Sequence, residues 1–258
     1  MKHKFRLIID EPQGGSLNMG IDNAIAEFVS KNAADPTLRI YSWIKPAVTV
    51  GYFQKISDTV NSGCCNDNNI DIIRRVTGGG TVFHDKEITY SFIVPIKNKV
   101  IPEEIEASFR VIIDPIISAL KSAGIDASFK PVNDILAQGR KISGSAQTRK
   151  QGVLLQHGTV ILDINKEMFT GCLKFDAIKL ADKGVSDPLE LVTSVNEQLN
   201  NNYNNETLHL LKNRIIDNYI ESLNITFNIE NLSGDEKTLA EKYRKEIFEN
   251  KSWNMKRV

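Results

Sequence analysis

A run of two arginines and three glycines carries the strongest chemical pattern in this sequence. It reads IIRRVTGGGTVFHD from Ile72 to Asp85 and contains Arg74, Arg75 and the glycines Gly78, Gly79 and Gly80. Consecutive glycines let a ligand approach the main chain and expose N–H groups that can cradle an anion. Guanidinium groups suit phosphate or carboxylate. The stretch predicts either an anion-binding loop or a plain glycine turn between strands, and its composition favours neither.

A second block, GRKISGSAQTRKQGVLLQHGT, adds a lysine, several small residues and a histidine. On a strand, Lys141, Ser143 and Ser145 would share one face. Lys141 could neutralise a phosphate or polarise a carbonyl, although a lone lysine is more often a solvated surface group. Room for a ligand beside this strand would come from the small residues Gly144, Ser145 and Ala146.

Three more side chains are candidates for the same site. If Gly139 turns a hairpin, Asn133 and Asp134 begin the strand beside Lys141. That arrangement brings a carboxylate near the lysine and near any phosphate-bound Mg²⁺. His157 suits a general base and a hydrogen-bonded structural histidine equally well.

Two common nucleotide-binding motifs do not fit the glycine run. A P-loop needs a lysine directly after its last glycine, whereas Gly80 is followed by Thr81 and Val82. A dinucleotide-binding loop opens a helix, whereas these glycines lead into the β-rich run TVF.

Hydrophobic periodicity predicts an α/β (α+β) chain. Strands are predicted over residues 5–10, 37–43, 47–53, 88–96, 125–130, 134–137, 141–145, 153–164 and 225–229. Helices are predicted to begin at Ser16 and to span 102–123, 206–223 and 234–250, with a kink or break before Pro115. Residues 61–69 read as a loop or helix end, and 179–194 and 196–205 as irregular. No linker divides the chain, so residues 1–258 are expected to form one domain, with 196–258 closing the same fold.

Composition limits the classes of function. There are 32 Lys and Arg and 32 Asp and Glu residues, so an overall basic surface that binds nucleic acid or anionic membranes is not predicted. No signal peptide and no run of about 20 apolar residues occurs, so a cytoplasmic protein is expected. The cysteines Cys64, Cys65 and Cys172 form neither a disulfide framework nor a zinc pattern. Cys64 and Cys65 are expected to be inert, and Cys172 is expected to pack on a helix.

The blocks RRVTGGGTVFHD, NDI, GRKISGSA and HGT, in this order and spacing, resemble the signature blocks of the lipoate–protein ligase family. That family shares its catalytic domain with biotin ligases and cysteine-dependent octanoyltransferases. SLNMGIDNAIAE, VTVGYFQ, VTSV and SWNM extend the resemblance over nearly the whole chain. It implies a biotin/lipoate ligase-like catalytic domain with a central mixed β-sheet flanked by helices.

The resemblance also implies an activity. Ligases of this family join lipoate to ATP, in the presence of Mg²⁺, to give lipoyl-AMP. They then pass the lipoyl group to a lysine of a carrier domain, found in 2-oxoacid dehydrogenase E2 subunits and in the glycine cleavage H protein. By position, Lys141 would contact the lipoyl carbonyl and phosphate and stabilise developing charge as the catalytic residue. Asn133 and Asp134 would lie near phosphate and Mg²⁺. The residues implied to hold the nucleotide or shape the pocket are Arg74, Arg75, Gly78, Gly79, Gly80, Thr81, Val82, Phe83 and His84.

The sequence departs from the ligase pattern in two ways. HD is followed by Lys86-Glu87 instead of x-G-N, which favours the octanoyltransferases and amidotransferases. Those enzymes use no ATP and form an acyl thioester on a cysteine just upstream of the GRK strand. No cysteine lies between Cys65 and Cys172, so that covalent step lacks its nucleophile. We therefore expect a ligase, with an ATP-independent octanoyl or lipoyl transferase as the alternative. A non-catalytic acyl-binding module and a biotin ligase are weaker readings.

The second departure is length. Large ligases carry an additional C-terminal accessory domain, and this sequence is expected to end with the catalytic domain. The expectation is that a separate partner chain supports adenylation.

Overall fold

Two β-sheets organise the chain. The computed structural model describes residues 2–182, 184–200 and 203–257, and Lys179 through its main chain alone. The strands are β1 His3–Ile9, β2 Thr37–Tyr41, β3 Ala47–Val50, β4 Asp71–Arg74, β5 Val82–His84, β6 Glu87–Pro95, β7 Ala127–Lys130, β8 Asp134–Ala137, β9 Arg140–Lys150, β10 Val153–Ile161 and β11 Ile225–Ile229. The helices are α1 Gly15–Ser30, α2 Ile56–Thr59, α3 Ser62–Asp67, α4 Ile105–Ser122, α5 Lys166–Cys172, α6 Ala177–Ala181, α7 Val195–Gln198, α8 Asn205–Leu223, α9 Gly234–Tyr243 and α10 Lys251–Asn254.

The larger sheet has the strand order β11-β1-β2-β6-β10-β9-β8-β7. β1 pairs in parallel with β11 and β2, and the remaining neighbours are antiparallel. Apolar side chains of α4 and α8 form a core with strands of this sheet, and α1 and α9 contribute to a second apolar cluster. The predicted mixed sheet flanked by helices is therefore confirmed.

The smaller sheet has the order β4-β3-β5. β3 pairs in parallel with β4 and antiparallel with β5. The three-glycine loop connects β4 to β5, so it lies at one end of this sheet. A separate apolar cluster joins β3 to the short helices α2, α3 and α5.

Helix α4 shows how burial overrides a local signal. Its apolar residues Phe109, Ile112, Ile116 and Leu120 recur every three or four positions and are buried. The helix runs through Pro115 without interruption. The predicted break is therefore wrong, while the alternative of a kink stays a prediction. Proline removes one main-chain hydrogen bond, and packing of the apolar face against the sheet offsets that loss.

The cysteines depart from prediction. Cys64 on α3 and Cys172 at the end of α5 form a disulfide, with Cα atoms 5.1 Å apart, while Cys65 is buried and free. The two helices meet because Val60 and Leu173 form an antiparallel bridge beside them. The partners are 108 residues apart in the chain, so counting cysteines could not reveal the pairing.

The last third of the chain adds to both faces of the larger sheet. β11 extends it beside β1, α8 packs on α4, and α9 packs on α1. The predicted helix over 234–250 is α9 followed by the π-helical turn Arg244–Phe248. Helix α3 lies in the segment predicted as a loop or helix end. The segments predicted to be irregular contain the 3₁₀ turn at Pro188–Leu191 and parts of α6 and α7, while Lys183, Asn201 and Asn202 lie outside the described residues. In the part of the chain that is described, no helix is long and apolar enough to cross a bilayer.

Candidate active site

A cavity of about 210 Å³ lies between the glycine loop, the smaller sheet and strands β9 and β10. Most of the predicted site residues line it, although they come from distant parts of the chain. Those that line it are Arg75, Gly80, Thr81, Val82, Phe83, His84, Asn133, Lys141, Gly144, Ser145, Ala146 and His157. Arg74, Gly78, Gly79 and Asp134 do not line it.

One wall of the cavity is apolar, and the sequence did not reveal it. Trp43, Ile161 and Leu173 line this wall, together with Phe169 and Phe175 around the end of α5. No motif or spacing marks these residues as a group, because they come from separate segments of the chain: Trp43 follows β2, Ile161 ends β10, and the others lie in or just after α5. An apolar wall in a cavity that a lysine also lines suits a chain that is apolar at one end and carries a carbonyl at the other.

The glycine loop is packed directly on another glycine. A Cβ atom on Gly51 would lie 2.0 Å from the carbonyl oxygen of Gly79, which no side chain allows. Gly79 itself has a φ of +86°, a conformation that favours glycine. Gly51, at the end of VTVG, is thus a site residue that sequence reasoning missed.

Arg75 holds the loop in shape. Its Nη2 donates to the carbonyl oxygens of Gly78 and Gly80 at 2.7 and 2.6 Å. Nη1 donates to the carbonyl and hydroxyl oxygens of Thr49, and Nε donates to the hydroxyl of Thr77. All five N–H donors of the guanidinium are therefore used within the protein, and Arg75 is only 4% exposed.

Two hydrogen-bonded chains continue from Arg75 through histidines to buried carboxylates. Each threonine hydroxyl accepts from Arg75, and the direction of its bond to histidine depends on the ring tautomer. An ionised carboxylate only accepts, so Nδ1 carries the proton that faces it, and Nε2 of the neutral ring accepts from the threonine. Thr77 thus donates to Nε2 of His157 at 2.7 Å, and Nδ1–H of His157 donates to Asp22 at 3.3 Å. In the same way Thr49 donates to Nε2 of His84, whose Nδ1–H donates to Glu87. Both ring nitrogens of His157 are occupied, so this arrangement favours a structural role over that of a general base.

Burial sets the charge states behind the cavity. It lowers the pKa of His157, and this effect outweighs the opposing hydrogen bond to Asp22. Burial acts to raise the pKa of Asp22, but the hydrogen bond from His157 and the charge of Arg39 outweigh it, so that pKa is lowered. Burial lowers the pKa of Arg75 to about 10, which still leaves it charged at neutral pH.

Stability is expected to fall as the pH drops from about 7.5 to about 5.5. The pKa of His157 in the folded protein is below its ordinary value of 6.5, so in this window the unfolded chain binds a proton that the folded protein resists. The contribution of His157 is at most about 1.4 kcal/mol per pH unit. Urea unfolding measured across this range should show the slope, and His157→Gln should flatten it.

The matched control is His209→Gln on α8, which is exposed and should leave the slope unchanged. A slope that survives His157→Gln would show that another group carries it.

Lys141 lines the cavity. Its Nζ is 2.7 Å from Oδ1 of Asp134, and its side chain is 39% exposed. A Cβ atom on Gly144 would lie 2.6 Å from both Cε and Nζ of Lys141, so the missing side chain leaves the space in which the lysine lies. The VTSV segment holds this strand in place, because Thr193 N–H donates to the carbonyl oxygen of Lys141.

A β-bulge changes which residues of β9 face the cavity. Leu136 pairs with Lys141, but its neighbour Ile135 pairs with Ser143, so one residue of β9 is left over. The strict alternation of faces is broken there. Lys141 and Ser145 line the cavity as predicted, whereas Ser143 does not. Its hydroxyl is buried and has no hydrogen-bond partner.

The donor set does not fit the expected Mg²⁺. The cavity lining contains no carboxylate, and the nearest predicted one, Asp134, is paired with Lys141. No group of three or more His, Cys, Asp or Glu side chains suited to a metal occurs among the described residues. Mg²⁺ prefers octahedral oxygen coordination, which a single ion-paired carboxylate does not provide.

The adjacent arginine faces the other way. Arg74 donates from Nη1 to the carbonyl oxygens of Gly51, Tyr52 and Gln54. Its Nε and Nη2 donate to the carbonyl oxygens of Asn254 and Arg257. Arg74 thus ties the C-terminal segment to the strand that carries the glycine loop.

No thiol reaches the cavity. Two of the three cysteines form the disulfide, and Cys65 is fully buried; none of them lines the cavity. Burial also raises the pKa of Cys65, which disfavours the reactive thiolate.

The arrangement of glycine loop, lysine and apolar wall matches a known family. The model of the lipoyl protein ligase A/B catalytic domain matches residues 15–218. The chain belongs to this family. The predicted resemblance is confirmed, and the protein is of an enzyme superfamily that contains ligases and transferases.

Curated relatives decide between those two activities. An octanoyltransferase LipM of Clostridioides difficile is 31% identical over 99% of this chain and 100% of the relative. An octanoyltransferase LipM of Geobacillus kaustophilus is 29% identical over 94% of each chain. The prediction of an ATP-dependent lipoate ligase is therefore wrong, and the transferase alternative is better supported. The empty cysteine position argued for the ligase only by disfavouring a covalent acyl intermediate.

Solved structures confirm the fold. A bi-partite lipoate protein ligase from Thermoplasma acidophilum, studied together with its E2 lipoyl domain, has a TM-score of 0.83 and 25% identity and covers 99% of this chain and 98% of its own. A lipoate-protein ligase A bound with ATP has a TM-score of 0.81, 24% identity and full coverage of both chains. The second likeness bears on the fold alone.

Proposed function

We propose that this protein is an octanoyl or lipoyl transferase. It moves the acyl group from a thioester donor, such as an acyl-carrier protein, to a lysine of a lipoyl carrier domain. The acceptors are the lipoyl domains of 2-oxoacid dehydrogenase E2 subunits or the glycine cleavage H protein. The observation that carries the proposal is that Lys141 and a set of apolar side chains line one cavity, in a chain similar over its full length to octanoyltransferases.

Different residues of the cavity bind the acyl chain and the thioester carbonyl. The apolar wall of Trp43, Phe169 and Phe175 takes the acyl chain, and the thioester carbonyl lies beside Lys141. The ammonium of Lys141 stabilises the negative charge that develops on the carbonyl oxygen. Asp134, 2.7 Å from Nζ, keeps the lysine in position.

The transfer proceeds in a single displacement, because no cysteine lines the cavity. The acceptor amine attacks the thioester carbonyl carbon, and the new C–N bond gives an oxyanion beside Lys141. The C–S bond then breaks, and the proton lost by the amine passes to the leaving thiolate. Atoms and charge balance without an enzyme-bound acyl group, ATP or a metal.

The test is mass spectrometry of an apo-lipoyl domain incubated with the protein and an octanoyl- or lipoyl-carrier donor, without ATP. A mass shift of one acyl group on the acceptor is expected, with no acyl adduct on the enzyme. A variant with all three cysteines changed to serine should still transfer. Modification only with free acid and ATP would overturn the proposal, and loss of transfer in Cys65→Ser or Cys172→Ser alone would overturn the single displacement.

A further inference from the structure

Six residues from three parts of the chain form an exposed group beside the glycine loop, here called the rim cluster. Lys150 Nζ and Lys256 Nζ each lie 5.2 Å from the centre of the Tyr52 ring, and Arg257 Cζ lies 5.7 Å from it. The members of the rim cluster are Tyr52, Phe53, Lys150, Trp253, Lys256 and Arg257. All three cations are exposed, and Phe53 is 70% exposed.

The rim cluster borders the wall of the cavity. Tyr52 N–H donates to the carbonyl oxygen of Thr77, and Phe53 lies 4.0 Å from the Cβ position of Gly78. On the other side of the same loop, the Cβ position of Gly79 is 3.6 Å from Ala146, which lines the cavity. The glycine loop is thus the partition between the rim cluster and the site.

The cations of the rim cluster lack counter-charges. None of the described carboxylates forms an ion pair with Lys150, Lys256 or Arg257, although Glu246 lines the same shallow groove as Lys256. Some cations elsewhere on this electrically neutral chain are paired, and others, such as Lys4 and Lys121, stand singly among the described residues. The pairs include Lys31–Glu27, Lys45–Asp71, Lys86–Asp163, Arg110–Asp114, Arg140–Glu197 and Arg244–Glu241. What distinguishes the rim cluster is that its three unpaired cations surround one aromatic ring.

Contact with aromatic rings does not replace those counter-charges. A cation over an exposed ring gains only about 0.5–1 kcal/mol, and the three like charges repel one another. An anionic surface placed against them would remove the repulsion and gain electrostatic steering. The exposed ring of Phe53 would supply the apolar anchor that protein interfaces use.

The cluster is also held rigidly. Arg74 fixes the main chain of Asn254 and Arg257, and Trp253 Nε1 donates to the carbonyl oxygen of Arg74 at 2.7 Å. A preformed surface loses little conformational entropy on binding. Arg75 thus bonds to the glycine loop on the cavity side, and Arg74 bonds to the C-terminal segment on the side of the rim cluster.

We infer that the rim cluster is the docking surface for an acidic face of the lipoyl carrier domain that accepts the acyl group. This inference rests on the proposed function. An acceptor lysine has only a four-carbon stem, so its domain must sit against the rim of the cavity. Strand β9 spans about 30 Å from Lys141 to Lys150, and a standard interface of about 800 Å² per partner is about as broad. One docked domain therefore covers both the rim cluster and the part of the cavity that Lys141 lines.

The test compares a triple variant, Lys150→Gln, Lys256→Gln and Arg257→Gln, with the native protein. We expect KM for the apo-lipoyl domain to rise about ten-fold or more, with kcat and the KM of the acyl donor nearly unchanged. The salt dependence of acceptor binding should also become shallower. The matched control is Lys4→Gln, Lys121→Gln and Arg214→Gln, three exposed cations on β1, α4 and α8, which should leave all of these values unchanged.

Direct titration of the apo-lipoyl domain into the enzyme separates this inference from the proposed function. Weaker binding by the rim-cluster variant supports docking even if no ATP-independent transfer occurs. Unchanged binding and unchanged acceptor KM overturn the docking surface even if transfer is observed. A rise in the donor KM alone would assign the surface to the donor and overturn the inference as stated.

Discussion

Replacing Lys141 by methionine is expected to lower kcat for acyl transfer about 10²- to 10³-fold. Methionine fills a similar volume but has no charge, so the oxyanion that forms on the thioester carbonyl loses its stabilising partner. Nothing else charged in the cavity lining is free to replace it, because Arg75 donates all its N–H groups to the protein. The KM for the acceptor should change little, since Lys141 acts in the transition state.

Two variants separate the charge of Lys141 from its position. Lys141→Arg keeps the charge and should retain part of the activity. Gly144→Ala keeps the lysine but introduces a Cβ into the space of Cε and Nζ, so it should lower kcat by displacing the ammonium. If kcat of Lys141→Met stayed within a few-fold of that of the native protein, Lys141 would have no role in stabilising the oxyanion. An acyl group found on Lys141 itself would show that it is a nucleophile.

The main blocks of the site could be read from the sequence because they rely on local chemistry. Three consecutive glycines need unusual main-chain freedom, and GRKISGSA places a lysine among residues too small to fill the space beside it. The structure brings these two blocks together at one cavity. Both blocks could be predicted because a bound ligand requires these residue types.

What each residue contacts could not be read in the same way. Arg74 and Arg75 are neighbours, so opposite directions follow from strand geometry, but their partners come from residues near 50 and 254. The bulge that turns Ser143 away from the cavity depends on the pairing of β8 with β9. The clash that requires glycine at Gly51 exists only because Gly79 packs on it. Each of these facts is a long-range contact, which periodicity and composition do not encode.

The sequence also did not distinguish the ligase from the transferase, for a reason that lies in the chemistry of the site. The empty cysteine position favoured an ATP-dependent ligase by excluding one covalent intermediate. A lysine facing a carbonyl serves an acyl-adenylate and a thioester alike, because both reactions develop charge on the same oxygen. The site chemistry therefore did not distinguish the donor, and the similarity to octanoyltransferases favours the transferase alternative.

Replacing Arg75 by methionine is expected to cost about 3 kcal/mol of unfolding free energy. The change removes the donor to the carbonyl oxygens of Gly78, Gly80 and Thr49, although it also removes the cost of burying a charge, which partly offsets the loss. The glycine loop would no longer be held against the cavity, so acyl transfer should fall together with stability. Urea unfolding and transfer kinetics at one temperature measure both effects.

Arg74→Met is the matched comparison, because it removes a second buried guanidinium one residue away. Arg74 bonds to the C-terminal segment, so its loss should loosen the rim cluster and raise the KM for the acceptor domain. The KM for the acyl donor should rise in Arg75→Met and much less in Arg74→Met. Equal effects of the two variants on both substrates would mean that the arginines act only through overall stability, and the division of the loop into a cavity side and a docking side would fail.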